Sequence, residues 1–223
     1  AYISRILDAE LGELVRSVPA IVLEGPKGVG KTESATRLAE TVRRLDVPAE
    51  RSVVAADPQL ALEGRRPLLI DEWQRFPPVW DAVKRAVDDG ATPGSFLLTG
   101  SATPGDSATH SGAGRIVTLR MRPLSFFERQ LETATVSLAT FLEGERPAVA
   151  GTSRIGLREY VDEILRSGFP GLRGFSGRAL RTQLDGYVTR IVDTDLEEMG
   201  MRVRRPELIR RWLRAYAAAT ATT

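Results

Sequence analysis

The sequence predicts a mixed α/β domain, a parallel sheet sandwiched by helices, followed by a helical subdomain. Three observations carry that prediction. Short apolar runs alternate with stretches of helical spacing up to about residue 120, the pattern of strands buried on both faces and joined by crossover helices. A glycine-rich octet, G-P-K-G-V-G-K-T over 25–32, stands between the first apolar run and the next helical stretch. From residue 157 onward only helical periodicity remains.

Taken in order, Ile3, Ile6, Leu7, Leu11, Leu14, Val15 and Val18 recur at three- and four-residue steps. They predict an amphipathic helix from about Ser4 to Arg16, ended by Pro19. Ala20-Ile21-Val22-Leu23 forms the first strand, 20–24. The octet then leads into a helix expected near 31–45, with Ala35, Leu38, Ala39, Val42 and Leu45 on its inner face. A second strand is expected at Ser52–Ala55, closed by Asp57-Pro58, and a third at Leu68-Leu69-Ile70. Val79, Trp80, Val83, Ala86 and Val87 mark another helix, Ser95–Thr99 the fourth strand and Ile116–Leu119 the fifth.

The segment Thr103–Gly114, rich in Gly, Ser and Thr, reads as a loop that is either mobile or ordered by a ligand or partner. Ser125 and Glu128 have capping-box spacing for a short helix carrying Phe126 and Phe127. The expected organisation is a core with its N-terminal helix over 1–143, a linker over 144–156 and a helical subdomain over 157–223. That subdomain is expected to hold helices at 157–167, about 178–198 and 206–218, the last opened by Pro206.

Composition narrows the chemistry. The chain has 223 residues, 42% of them apolar, enough for a sizeable core. No apolar run reaches the roughly 18 residues a membrane helix needs, and the N-terminus reads as an acidic amphipathic helix; a cytoplasmic, non-membrane protein is expected. Zero cysteines exclude thiolate chemistry and disulfides, and the single His110 gives no histidine metal site. A formal charge of +2 is too small to argue for nucleic acid by itself. The arginines Arg202, Arg204, Arg205, Arg210 and Arg211 form a basic cluster, read as a solvated helix face, with a phosphate-contacting patch or a distal ATP sensor as alternatives.

The octet fits the G-x-x-x-x-G-K-[ST] pattern in the strand–loop–helix context that a phosphate-binding loop needs. Its glycines let successive N–H groups turn inward, and the helix that follows adds its positive dipole end. Gly25, Pro26, Lys27, Gly28, Val29, Gly30, Lys31, Thr32 and the adjoining Glu33 form the expected nucleotide cradle. Lys31 is expected at the β- and γ-phosphates and the Thr32 hydroxyl on Mg²⁺. Downstream, the apolar run Leu68-Leu69-Ile70 ends in Asp71-Glu72. Buried strand residues would hold these acids at the carboxyl edge of the sheet, with Asp71 on the metal's hydration shell and Glu72 as the base for water. ATP and Mg²⁺ are the expected ligands. No N-K-x-D guanine motif occurs, and His110-Ser111-Gly112-Ala113-Gly114 only superficially matches the signature of transporter-type ATPases.

The chain resembles predicted AAA+ ATPases of bacteria and archaea that pair a P-loop core with a C-terminal domain of unknown function. The matching stretches are G-P-K-G-V-G-K-T (25–32), L-L-I-D-E-W-Q (68–74), F-L-L-T-G-S-A (96–102), A-G-R (113–115) and R-P-L-S-F-F-E (122–128), with G-F-P at 168–170 and the helix Y-V-T-R-I-V-D-T-D-L over 187–196. One departure is Thr194-Asp195, where such proteins often show Arg-Asp.

The resemblance implies a AAA+-like P-loop NTPase fold and ATP hydrolysis. It also implies a polar sensor at the end of the fourth strand, with Ser101 first and Thr99 second. Arg115 falls where such proteins often carry an arginine finger that serves a neighbouring subunit; a structural surface arginine is the alternative. A homo-oligomer and an unidentified protein or nucleic-acid partner, engaged through a C-terminal region beyond residue 223, follow from the same resemblance. Two other functions remain open: a slow nucleotide-dependent switch and a P-loop small-molecule kinase.

Overall fold

Five strands hydrogen-bond in the order β2-β3-β4-β1-β5, every neighbouring pair parallel: β1 (Ala20–Glu24), β2 (Thr41–Arg44), β3 (Leu68–Asp71), β4 (Phe96–Gly100) and β5 (Val117–Arg120). This is a computed structural model, and it describes residues 2–101, 114–198 and 201–220. The expected loop Thr103–Gly114, His110 included, lies outside the described residues except for Gly114.

Side-chain alternation divides the core into two layers. Ala20, Val22, Leu68, Ile70, Phe96 and Leu98 face one way, and pack with residues of α3 (Pro48–Ala56) and α4 (Pro78–Asp88). Ile21, Leu23, Leu69 and Leu97 face the other way, and pack with residues of α1 (Leu7–Leu14) and α2 (Lys31–Thr36). Both faces are therefore covered, which is why β1, β3 and β4 read as unbroken apolar runs rather than as alternating ones.

Two sequence expectations fail in neighbouring segments. The helix expected over 31–45 stops at Thr36, and 41–44 is the edge strand β2, paired with β3 so that Thr41 faces Leu68 and Arg44 faces Asp71. The β-branched Thr41-Val42 pair suits an edge strand, and the ladder to β3 outweighs the helical spacing of Val42 and Leu45. The strand expected at Ser52–Ala55 is the body of α3. Pro48 opens that helix at its first turn, the Arg51 amide bonds the Val47 carbonyl at 3.0 Å, and Val54 is buried while Val53 faces out.

The N-terminal helix is shorter than its periodicity suggests. The Phe126-Phe127 segment is a hydrogen-bonded turn instead of a helix, and a short helix α5 (Leu138–Leu142) has no counterpart in the sequence reading.

The chain divides into two compact units, 1–171 and 172–223. The first also contains α6 (Leu157–Leu165), which Gly156 opens with its N–H donated to Glu159 at 2.7 Å. The second holds α7 (Gly177–Arg190), which runs through a π-helical turn (Ile191–Asp195) into Leu196–Glu198, and then α8 (Pro206–Ala219). Within it, Arg210 donates to both carboxylate oxygens of Asp193, at 2.8 and 2.7 Å, and to Glu207 at 2.8 Å. One arginine of the 202–211 cluster is thereby occupied by an intramolecular role.

Leu69 lies on the interior strand β3 with no exposed surface. Leu69→Ala is expected to cost about 2–5 kcal/mol in denaturant unfolding. Leu138→Ala, at a side chain 74% exposed, is expected to change stability by about 0.5 kcal/mol or less.

Candidate functional site

Parallel register brings four strand ends to one edge. Glu24 is level with Gly100 and Arg120, and Asp71 is level with Thr99. Because β4 lies between β1 and β3, the loop after β1, the acids after β3 and the polar end of β4 converge there. The carboxyl edge of an open α/β sheet is where such folds bind ligands.

The 25–32 loop leaves β1 through Gly25, at φ 148°, where an added Cβ would stand 2.3 Å from the Met121 carbonyl oxygen at the exit of β5. Gly28, at φ 77°, has open space around its Cβ position. Lys31, the first residue of α2, is buried, and its Nζ donates to the carbonyls of Gly25 at 2.8 Å and Pro26 at 3.0 Å. Burial pushes the Lys31 ammonium below the ordinary lysine range, while the carboxylates of Glu72 and Asp71 push it back up.

Asp71 is the meeting point of three elements. Its Oδ1 accepts from Thr32 Oγ1 at 2.7 Å and from Thr99 Oγ1. Glu72 follows in a left-handed backbone conformation, φ 55° and ψ 45°, which costs a non-glycine residue roughly 1–2 kcal/mol. Its Oε2 accepts from Gln74 Nε2, which also donates to Ser101 Oγ at 3.1 Å. Gln74 therefore bridges the acid after β3 to the hydroxyl after β4. Trp73 packs into the core beneath, its ring centroid 4.8 Å from that of Trp80.

Two cavities flank the loop. One, of about 330 Å³, is lined by Glu24, Gly25, Pro26, Ser101 and Arg120 among others. Burial raises the Glu24 carboxyl, with Arg120 opposing. The other, of about 360 Å³, is lined by Tyr2, Ile3, Arg5, Gly30, Glu33 and Pro170.

The loop is also held from behind. Arg5 is buried, and its Nη1 donates to the Val29 carbonyl at 2.8 Å. Its Nε donates to Glu128 Oε1 at 3.0 Å, and its Nη2 to the Arg122 carbonyl. Glu128 also accepts from the amides of Ile6 at 2.9 Å and Ser125 at 2.7 Å, and from Ser125 Oγ at 3.0 Å. Burial alone would raise the Glu128 carboxyl, but the donors from Ser125, Ile6 and Arg5 outweigh it and hold the group below its usual range.

The structure thus brings together Lys31, Thr32, Asp71, Glu72, Thr99 and Ser101 with the loop from Gly25 to Glu33. It does not bring Arg115 there. Extrapolating the Ile21–Val117 pairing puts Arg115 level with Pro19, at the amino edge of the sheet, where it pairs with Asp88 at the end of α4. At about 3.3 Å per residue, roughly 20 Å of strand separates that level from Gly25. From this edge Arg115 reaches no phosphate bound by its own loop, so a finger role concerns only the nucleotide of a neighbouring copy.

Sequence reasoning missed Gln74, Glu24 and Arg5. Only Glu128, in the R-P-L-S-F-F-E stretch, carried a local signal. Among the described residues no cluster of three His, Cys, Asp or Glu side chains is placed to hold a metal unaided, and no helix is long and apolar enough to cross a membrane.

The profile of a family described as an AAA domain matches residues 17–130, from the turn before β1 to the end of the Glu128 turn. The chain belongs to the AAA domain family. Its match covers β1 to β5, the 25–32 loop and the Glu128 turn, though not Arg5, and it supports nucleotide binding of the P-loop NTPase type. Similar curated proteins include the uncharacterized protein Rv2008c of Mycobacterium tuberculosis and the uncharacterized protein Mb2031c of Mycobacterium bovis, each 28% identical over 214 residues. The alignment covers 92% of this chain and 42% of each relative, so the AAA domain chain spans less than half of their length.

The lowered Glu128 carboxyl has a consequence for acid stability. A group that binds protons less readily folded than unfolded stabilises the fold fully above its unfolded value, near 4.5. That contribution is lost as pH falls through the lower folded-state value. Glu128→Gln is therefore expected to weaken the chain at neutral pH and to flatten the loss of stability below about pH 4.5, read from urea midpoints across an acid series.

Proposed function

We propose that the chain binds ATP with Mg²⁺ and hydrolyses it to ADP and phosphate. The observation that carries this reading is the convergence of Lys31, Thr32, Asp71 and Glu72 at one sheet edge, with Thr32 bonded directly to Asp71 at 2.7 Å. In this reading Lys31 exchanges the loop carbonyls for β- and γ-phosphate oxygens, and the loop N–H groups surround the phosphates. The cavity beside Tyr2, Ile3 and Pro170 is offered to the nucleoside.

The donor set at the metal position is one hydroxyl, Thr32, and one carboxylate, Asp71. That suits Mg²⁺, which is commonly held by one or two carboxylates together with its nucleotide's phosphates, and needs no all-protein cage. When bound, the ion neutralises charge on the β- and γ-phosphate oxygens. Glu72 takes a proton from the attacking water as the water oxygen bonds to the γ-phosphorus. The bond to the β,γ-bridging oxygen breaks, and its electron pair leaves on ADP. Ser101 and Thr99 supply hydroxyls at the end of β4, and Arg115 enters this reading only as a group offered to a second copy. The energy released is coupled to an unidentified macromolecular partner.

A second reading, a slow nucleotide-dependent switch, is favoured by one observation: Gln74 holds the Glu72 carboxylate. A base engaged by an amide is less available to water, so turnover stays low until that bond opens. Multi-turnover rates with labelled ATP, measured on wild type and on Gln74→Ala, separate the readings. A faster variant supports the switch, and an unchanged rate removes it.

Lys31→Ala is expected to weaken ATP binding at least tenfold in titration calorimetry, because a charge-assisted contact worth about 1.5–3 kcal/mol is lost. Unchanged affinity would overturn the loop assignment. Glu72→Gln is expected to bind ATP and Mg²⁺ normally while hydrolysis slows by about 10²–10⁴-fold, the worth of a general base. Equal turnover would remove Glu72 from the chemistry.

A further inference from the structure

A buried guanidinium behind the phosphate loop is not needed by the chemistry just described. Arg5 comes from the segment before α1, Val29 from the loop, and Arg122 and Glu128 from the stretch after β5. Arg5 donates to all three. Both oxygens of Glu128 are fully engaged, Oε1 by Arg5 and the Ile6 amide and Oε2 by the Ser125 amide and hydroxyl. The side chains of the pair are 4% and 7% exposed.

Stability alone is a poor account of such a pair. Withdrawing two charges from water costs about what their attraction returns, and apolar residues of similar volume often do as well. What an apolar pair would not supply is a donor for the Val29 carbonyl. That carbonyl lies one residue before Gly30, whose Cβ position is 3.5 Å from Arg5 Nη1. Removing the guanidinium leaves the carbonyl unpaired at the base of the loop whose amides must face phosphate.

We propose that Arg5 and Glu128 are positioning residues of the nucleotide site, and that they couple occupancy of the phosphate loop to the 122–128 segment. The inference rests on the nucleotide-binding reading of the loop. Arg5 fixes the loop through Val29, Glu128 fixes Arg5, and Ser125 and Ile6 fix Glu128. Coupling between two sites is reciprocal. If this brace favours the loop conformation that accepts phosphates, phosphates in the loop tighten the brace. The amides of Ile6 and Ser125, both donated to Glu128, report that tightening.

The test uses the purified chain with Mg²⁺ and ATP, measuring affinity by calorimetry, thermal midpoint, and hydrogen exchange at the Ile6 and Ser125 amides. In wild type, ATP is expected to slow exchange at both amides. Arg5→Lys keeps the charge but not the planar three-way fork, and is expected to lose about tenfold or more in ATP affinity. Glu128→Gln is expected to abolish the ATP-dependent slowing.

Val83→Ala, a core truncation on α4 away from the loop, is the stability control and is expected to lower the midpoint with affinity unchanged. Wild type that binds ATP without slowing either amide overturns the proposal, with no need for any variant to fold. So does an Arg5→Lys chain whose affinity matches wild type. Wild type that fails to bind ATP overturns the nucleotide reading itself, a result distinct from both.

Discussion

One carboxylate oxygen, Oδ1 of Asp71, receives hydroxyl donors from two different elements, Thr32 on α2 and Thr99 on β4. A buried carboxylate left without such donors is costly. Meeting that demand fixes the start of α2 relative to the ends of β3 and β4. The loop between β1 and α2 is then held at its start by β1 and at its end by the Thr32–Asp71 hydrogen bond.

The charges around this node are arranged unevenly. Lys31 is buried and donates to backbone carbonyls rather than to acids, while Glu72 is tied to a neutral amide. The Glu72 and Asp71 carboxylates act on the Lys31 ammonium through their field and raise it, against the larger effect of burial. In the proposed function, a direct Lys31–Asp71 bridge would have to be broken before phosphate could take the lysine. Carbonyls are weaker competitors than a carboxylate, because hydrogen bonds between two charged groups are the stronger ones. On that reading the loop lysine is held by partners that phosphate displaces more readily than it would a carboxylate.

The parts of the site that were legible in the sequence are the local ones. Gly25 to Thr32 and Asp71-Glu72 announce themselves because spacing along one loop or one strand end carries their chemistry. Gln74, Arg5 and the bond from Thr99 to Asp71 were harder to read, since their partners lie on other elements and are brought near only by strand order. The same reason accounts for β2: Thr41 to Arg44 become a strand through pairing with β3, and no local pattern records that pairing. In α3 the misleading signal was Val53-Val54, two β-branched residues whose strand preference gives way to the proline start at Pro48 and to burial of one side only. Where periodicity was long and the faces distinct, as in α4 and α8, the sequence reading and the structure coincide in element type.

Gly25 and Gly28 both carry positive φ, but they differ as mutational targets. At Gly28 only the backbone conformation is demanding for the fold, and the uncharged asparagine, which visits the left-handed region readily, remains an accessible replacement. At Gly25 any side chain meets the Met121 carbonyl, so its replacement requires the exit of β5 to move as well. In a library of random codons the first position would hold a small alphabet and the second a single letter, in the order Gly28, then Gly25. A drifting lineage could therefore lose and regain Gly28 by single steps, whereas Gly25 would change only together with the chain that follows β5.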